Sequence, residues 1–245
     1  MTPAQLKMLK AAYYDRAAVG RDSLFDYLKT EHPGKHPPRR AINRWLNTQT
    51  LQQTYSQAFT SKQAAPFRPI SPWHSLSADL LDFSGRKAKG FTAVLNVLEN
   101  FSRYQFLVPL RNKEAKTVAK AMAAILDWIQ KKYNKKPTFV LVDGGGEFLA
   151  DFKALLKERG IGWKRTLAAS PWQAGLVERN GGRTKRILYM YKRTKPGSWA
   201  DHIAHATKVA NDTTNRSTRY SPKIALELDK AGSVVYIQRR HADCF

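Results

Sequence analysis

The chain has 245 residues, 42% of them hydrophobic, with 42 lysines and arginines against 19 acids and a formal net charge of +23. Such a charge repels itself unless a polyanion is the usual partner, which puts nucleic acid first and an anionic membrane a distant second. No apolar run is long enough to span a bilayer, the first residues are polar rather than leader-like, and the one cysteine, Cys244, excludes an intrachain disulfide and a cysteine-based zinc site.

Residues 1–58 read as short helices. Leu6, Leu9 and Tyr13 recur at helical spacing, as do Leu24, Tyr27 and Leu28. Pro33 and Gly34 break the pattern, and they also separate His32 from His36, so a metal site on those histidines is not expected. A third helix carries Ile42, Trp45 and Leu46 on one face with Arg39, Arg40 and Arg44 around it. A small bundle with a basic third helix suits docking on DNA in the helix-turn-helix manner. Its plain alternative is a bundle that only packs on the main domain. Residues 59–72 hold three prolines and no periodicity, which predicts a linker.

From Trp73 the texture changes. "SLSADLLDF", "FTAVLNVLENF" and "YQFLVPL" read as three strands joined by tight connections. A helix follows over about 114–132, with Val118, Met122, Ile125 and Ile129 on one stripe. "TFVLVD" is a short apolar strand of the buried type, "FLADFKALLKERG" a helix ending at Gly160, and "IGWKRT" a fifth strand. Long helices begin at about Pro171. The fold class expected is α/β, a five-stranded mixed sheet flanked by helices, with a small helical domain in front.

In so basic a chain each acid can be weighed singly. Asp143 ends an apolar strand and enters "GGGEF", the strand end where sheet proteins place ligand-binding groups, and the glycines allow a sharp turn. Asp79 lies among leucines in the first strand, where a carboxylate is costly unless it meets a cation. Asp82, three residues on, is its rival and falls on the other face of an ideal strand. Glu178 is the single acid of "SPWQAGLVERNGGRTKR", among Arg179, Arg183, Lys185 and Arg186. Each acid alone has a structural explanation, as a turn former, an ion-pair partner or a helix contact. Gly181 and Gly182 each cost about 1 kcal/mol in a helix interior relative to alanine. They share a helix face with Glu178 and Lys185. Either they admit the DNA backbone close to that face, or the helix is simply kinked there.

The order Asp79, Asp143, Glu178, with "NVLENFSRY" between and "SP" eight residues before Glu178, resembles the catalytic core of retroviral-type integrases and related transposases. Asp143 and Glu178 stand 35 residues apart, in line with that family. The resemblance covers about 73–228, and a looser likeness of "AAYYD…SLFDYLK…INRWLNTQ" points to the integrases of Polinton (Maverick) elements and their viral relatives. It implies an RNase H-like fold and a catalytic set of Asp79, Asp143 and Glu178 holding two Mg²⁺ or Mn²⁺ ions. It also implies double-stranded DNA, as element ends and target, for the partner, a homo-oligomer, and work in the nucleus of a host cell or wherever viral or element DNA lies. Arg39, Arg40, Arg44, Arg179, Arg183, Lys185 and Arg186 are the expected DNA contacts. The chain departs from the pattern at Glu99, where the family often has Asp, and at Gly181 and Gly182, where an Asn and a basic residue are common. Residues 229–245 look like the beginning of a small C-terminal barrel cut short. The implied activity is joining of a DNA 3′-OH to target DNA. A metal-dependent nuclease of the same fold and a non-catalytic DNA-binding derivative stand as alternatives.

Overall fold

Alternation of apolar and polar residues along 75–82 builds the first strand of the sheet and decides what each of its faces meets. The computed structural model describes residues 1–16, 20–49, 69, 71–143, 145–165, 171–215 and 218–232, and for 171–176 and 178 the backbone alone. The chain divides into two compact units. One comprises Met1–Gln63 with Thr184–His202, the other Ala64–Arg183 with Ile203–Phe245.

The larger unit holds β1 (Ser75–Asp82), β2 (Ala93–Glu99), β3 (Gln105–Leu110), β4 (Phe139–Val142) and β5 (Gly162–Arg165), in the order β3-β2-β1-β4-β5. The β1–β2 and β2–β3 pairs are antiparallel, and the β1–β4 and β4–β5 pairs parallel. This is the mixed five-stranded sheet that the sequence predicts. Leu76 and Ala78 of β1, Leu95 and Val97 of β2, and Val140 and Val142 of β4 form a core with Val118, Met122, Ile125 and Ile129. Those four lie on α4 (Ala115–Tyr133), the stripe read from the sequence. Fully burying one such side chain is worth about 1.5–3 kcal/mol. The helix stops at Asn134, which takes the left-handed conformation (φ 51°), and Lys131 and Lys132 in the last turn suit its negative end. Then come α5 (Asp151–Glu158), α6 (Pro171–Thr194), α7 (Ile203–Asp212) and α8 (Pro222–Lys230).

A buried polar cluster ties β2 to β1. The Glu99 carboxylate is fully buried and accepts from the backbone N–H of Trp73, Phe101 and Ser102 (3.1, 3.0 and 2.6 Å) and from Ser102 Oγ (2.6 Å). Burial pushes its pKa up, and these hydrogen bonds oppose that. Beside it Asn100 donates to Ser75 Oγ and accepts from Ser77 Oγ, at 3.0 and 2.8 Å. Four donors converge on two oxygens, so a side-chain amide cannot substitute for the carboxyl. Glu99→Gln is expected to destabilise by about 1–3 kcal/mol, because its NH₂ faces donors with no acceptor between them. Urea unfolding of the full chain checks this, and an unchanged midpoint would refute it.

The smaller unit contains α1 (Pro3–Asp15), α2 (Arg21–Glu31) and α3 (Arg39–Leu46). Thr2 and Gln5 form a reciprocal capping box at the start of α1. Leu9, Tyr13, Leu24, Leu28 and Ile42 are fully buried. The last part of α6 belongs with them. Tyr191 donates its hydroxyl to the Asp15 carbonyl at 2.8 Å, and Lys195 pairs with the Asp15 carboxylate at 3.2 Å. By contacts Thr184–His202 groups with the N-terminal helices. Most of the 59–72 linker, and the tail from residue 233, lie outside the described residues.

Candidate active site

The two faces of β1 have different partners. Leu76 and Ala78 enter the core under α4, whereas Asp79 and Leu81 lie on the face met by α6. Asp79 is half-buried. Its antiparallel partner on β2 is Asn96. On the other side, the parallel register pairs Ala78 with Val142, so Asp79 and Asp143 follow in step on neighbouring strands. Strands in this arrangement run about 4.8 Å apart. The register therefore sets two carboxylates, 64 residues apart in sequence (79 to 143), on the two neighbouring interior strands β1 and β4.

Asp143 is exposed at the end of β4. Its Oδ1 accepts from the Gly145 backbone N–H at 3.0 Å, which shapes the turn. A Cβ on Gly145 would stand 2.6 Å from the Glu147 carboxyl, so the glycine makes room for a neighbouring side chain of the same loop. The loop is anchored by Phe148, fully buried and edge-on to Phe152 at 5.1 Å.

The α6 helix approaches this face at Gly181, which is buried. A Cβ there would lie 2.8 Å from Leu81 Cδ2, 3.2 Å from Asp79 Oδ2 and 3.6 Å from Asn96 Nδ2. For Gly181 the expectation of a glycine that admits DNA is therefore corrected: the missing side chain lets the helix approach the sheet beside Asp79. Gly182 is half-buried. Glu178 lies on α6 one turn before Gly181, and its side chain is outside the described set.

Asp82, the rival, is exposed on the opposite face. It accepts from the Ser84 backbone N–H at 2.9 Å and pairs with Lys113 at 3.0 Å. Those contacts, the Ser84 hydrogen bond first, hold its carboxyl down at about 2.

The basic residues singled out from the sequence differ in setting. Arg40, Arg44 and Arg179 are exposed, and Arg183 and Lys185 half-buried. Arg39 lies over the Phe25 ring at 4.1 Å and pairs with Asp26 at 3.4 Å and Asp22 at 3.9 Å, which stitches α3 to α2. Arg186 is half-buried, and burial lowers its pKa against the opposing effect of Tyr13.

Asp79 and Asp143 offer only hard oxygen donors, which suit Mg²⁺ or Mn²⁺ rather than a softer metal. Among the described residues no three His, Cys, Asp or Glu side chains gather to hold an ion. The pair with its in-step placement fits such a cation, and the third donor named from the sequence, Glu178, is the one whose side chain is not described. Asn96 stands opposite Asp79, a placement that depends on the register and is not visible in the sequence.

No protein-family model and no curated protein matches the chain. Solved structures do. The catalytic core of HTLV-2 integrase in complex with magnesium, in a trimeric form, aligns with a TM-score of 0.53 at 18% identity, over 64% of this chain and 99% of that one. A simian T-cell lymphotropic virus intasome in complex with the PP2A regulatory subunit B56 gamma aligns over 89% of this chain and 74% of its own, with 0.57 and 15%. The catalytic core of BIV integrase gives 0.52 and 19%, over 65% and 97%. At these identities the likeness establishes the fold, that of the integrase catalytic core.

Proposed function

We propose that this chain is a DNA integrase, a polynucleotidyl transferase that processes the ends of a mobile or viral element and joins their 3′-OH to target DNA. The observation that carries the reading is the register step that sets Asp79 beside Asp143, with α6 packed through Gly181 against Asp79 one turn after Glu178. Two carboxylates on neighbouring strands repel each other, and a bound cation would relieve that repulsion.

Asp79 would hold both ions, Asp143 one of them and Glu178 the other. What the pair supplies when bound is activation of a water or 3′-OH and stabilisation of the leaving 3′ oxygen, in line at phosphorus. The chain's own part is to fix three carboxylates on a rigid sheet and a helix. Arg179, Arg183 and Lys185 would take DNA phosphates, with Arg186 as a packed contributor, while Arg40 and Arg44, steadied by Arg39, would serve the N-terminal helices. The magnesium in the HTLV-2 core supports the choice of cation, and its dimeric and trimeric forms and the simian virus intasome support a homo-oligomer on DNA. Within the superfamily the N-terminal segment favours a Polinton-type element, and the work proposed for the chain is in a host nucleus or wherever viral or element DNA lies. No described helix is long and apolar enough to cross a membrane.

The test is strand transfer with a labelled duplex bearing the element's own terminus, in Mg²⁺ or Mn²⁺. A joined product supports the reading. Cleavage without joining would point to a nuclease of the same fold, and DNA binding without either to a non-catalytic derivative. Lys185→Ala is expected to weaken DNA binding for all sequences and to reduce the slope of log affinity against log salt by about 0.9, one phosphate's worth. Fluorescence anisotropy across a salt series measures it, and an unchanged slope would remove Lys185 from the interface.

A further inference from the structure

In α3, Ile42 and Leu46 are buried and Trp45 meets the Tyr13 ring edge-on at 5.1 Å, so these three face into the smaller unit. Arg39 turns toward α2, over the Phe25 ring and against Asp22 and Asp26. Positions three and four apart share a helix face, so Arg40, Asn43 and Arg44 stand together on the side away from Ile42. All three are exposed, and none of their side chains makes a hydrogen bond or ion pair with another described residue. The charge differs from helix to helix. Asp22, Asp26 and Glu31 lie on α2 and Asp15 ends α1, whereas α3 holds three arginines and no acid. Of these helices it is the one whose charge suits a polyanion. A helix with its side chains is about 10–12 Å across, and the major groove of B-DNA is about 12 Å wide. Any phosphate satisfies the arginines. Asn43 is different, because a neutral amide neutralises no phosphate, and asparagine is a poorer helix former than alanine, lysine or arginine. What it offers is a donor and an acceptor side by side, the pair that matches N7 and N6 of adenine in the major groove.

We infer that α3 lies in the DNA major groove and that Asn43 is its base-reading residue, selecting adenine, while Arg40 and Arg44 hold the helix on flanking phosphates. The inference rests on the proposed reading of duplex DNA as the partner, and it deepens that reading from DNA binding to selection of a base in the bound site. Reading a base edge requires a side chain held within about 0.5 Å of its productive place. Trp45 against Tyr13 and Arg39 against α2 fix α3 from two sides, which meets that demand without using the outward face.

The experiment is selection of bound duplexes from a random-sequence pool by the full chain, in chelator so that the DNA stays intact, followed by sequencing. The parent is expected to enrich a motif with adenine fixed at one position. Asn43→Ala should lose the preference at that position alone. It should bind the selected duplex about five- to hundredfold more weakly, while affinity for a scrambled duplex changes by less than about twofold. Arg44→Ala should weaken both duplexes by the same factor, since a phosphate contact carries no sequence information. Asn43 is exposed and alanine favours a helix, so thermal melts by circular dichroism should match the parent or exceed it. A parent that enriches no adenine-bearing motif, or an Asn43→Ala chain that keeps the adenine preference, overturns the inference. So does an equal loss on both duplexes, which would make Asn43 one more backbone contact. Because binding is read without metal, a chain that selects the motif but never joins DNA counts against the proposed activity and not against Asn43. A chain that joins DNA while Asn43→Ala selects the parent's motif counts against Asn43 only.

Discussion

Asp79→Asn, Asp143→Asn and Glu178→Gln are each expected to reduce joining by more than about a hundredfold while leaving the chain folded and bound to DNA. The changes are nearly isosteric and each removes one negative charge from the set that would hold the cations. Stability should move by no more than about 1 kcal/mol, because loss of the charge on Asp79 or Asp143 also relieves repulsion between neighbours in step. Asp82→Asn is the control. Its carboxylate serves a turn and Lys113 on the other face, so joining should stay within about twofold and the cost should be under about 1 kcal/mol. Joining assays alongside thermal melts by circular dichroism decide the matter. Full activity in Asp79→Asn with loss in Asp82→Asn would reverse the assignment.

Gly181→Ala carries the second large effect, and its sign runs against helix propensity. Alanine should favour the helix by about 1 kcal/mol. The added Cβ, however, would meet Leu81 Cδ2 at 2.8 Å, and Leu81 is itself buried. Relief requires the helix, the leucine or the Asp79 carboxylate to shift. Overpacking of this kind costs about 1–3 kcal/mol, so a net destabilisation of up to about 2 kcal/mol is expected. Displacing Asp79 should lower joining by about a hundredfold, the usual cost of a misplacement near 1 Å. Gly182→Ala, one residue on, should instead stabilise by up to about 1 kcal/mol. Gly182→Leu remains the probe of whether DNA approaches that face, since a bulky side chain should then block joining without unfolding the helix. A Gly181→Ala protein that is more stable than the parent and fully active would refute the packing argument.

The local elements were legible because they depend on local pattern. "SLSADLLDF" covers β1, "TFVLVD" covers β4, and the stripe of Val118, Met122, Ile125 and Ile129 marks α4. The acids stood out because a basic chain holds few of them. Neither the sheet order nor the step between Ala78 and Val142 could be read, since both are fixed by crossover connections and not by either strand's own sequence. The same holds for the glycines. A glycine in a helix announces a close approach but not what approaches, and for Gly181 the answer is a strand some hundred residues earlier. Asn96 was passed over for a related reason, since a single amide in an apolar strand has no meaning until its partner across the sheet is known.

The division of α6 between the two units bears on how the chain is made. The first three helices leave the ribosome early, yet residues of their unit lie in Thr184–His202, after the whole of Ala64–Arg183. Translation at about 5–20 residues per second puts several seconds between the two parts. Until then Tyr13 and its neighbours lack a share of their packing, and the Asp15 carbonyl lacks the Tyr191 hydroxyl. The N-terminal helices are therefore not a head that folds first and is then attached. They are completed only when the last turns of α6 emerge, and the larger unit still waits after that for Ile203–Phe245, so each unit is closed by chain made after part of the other.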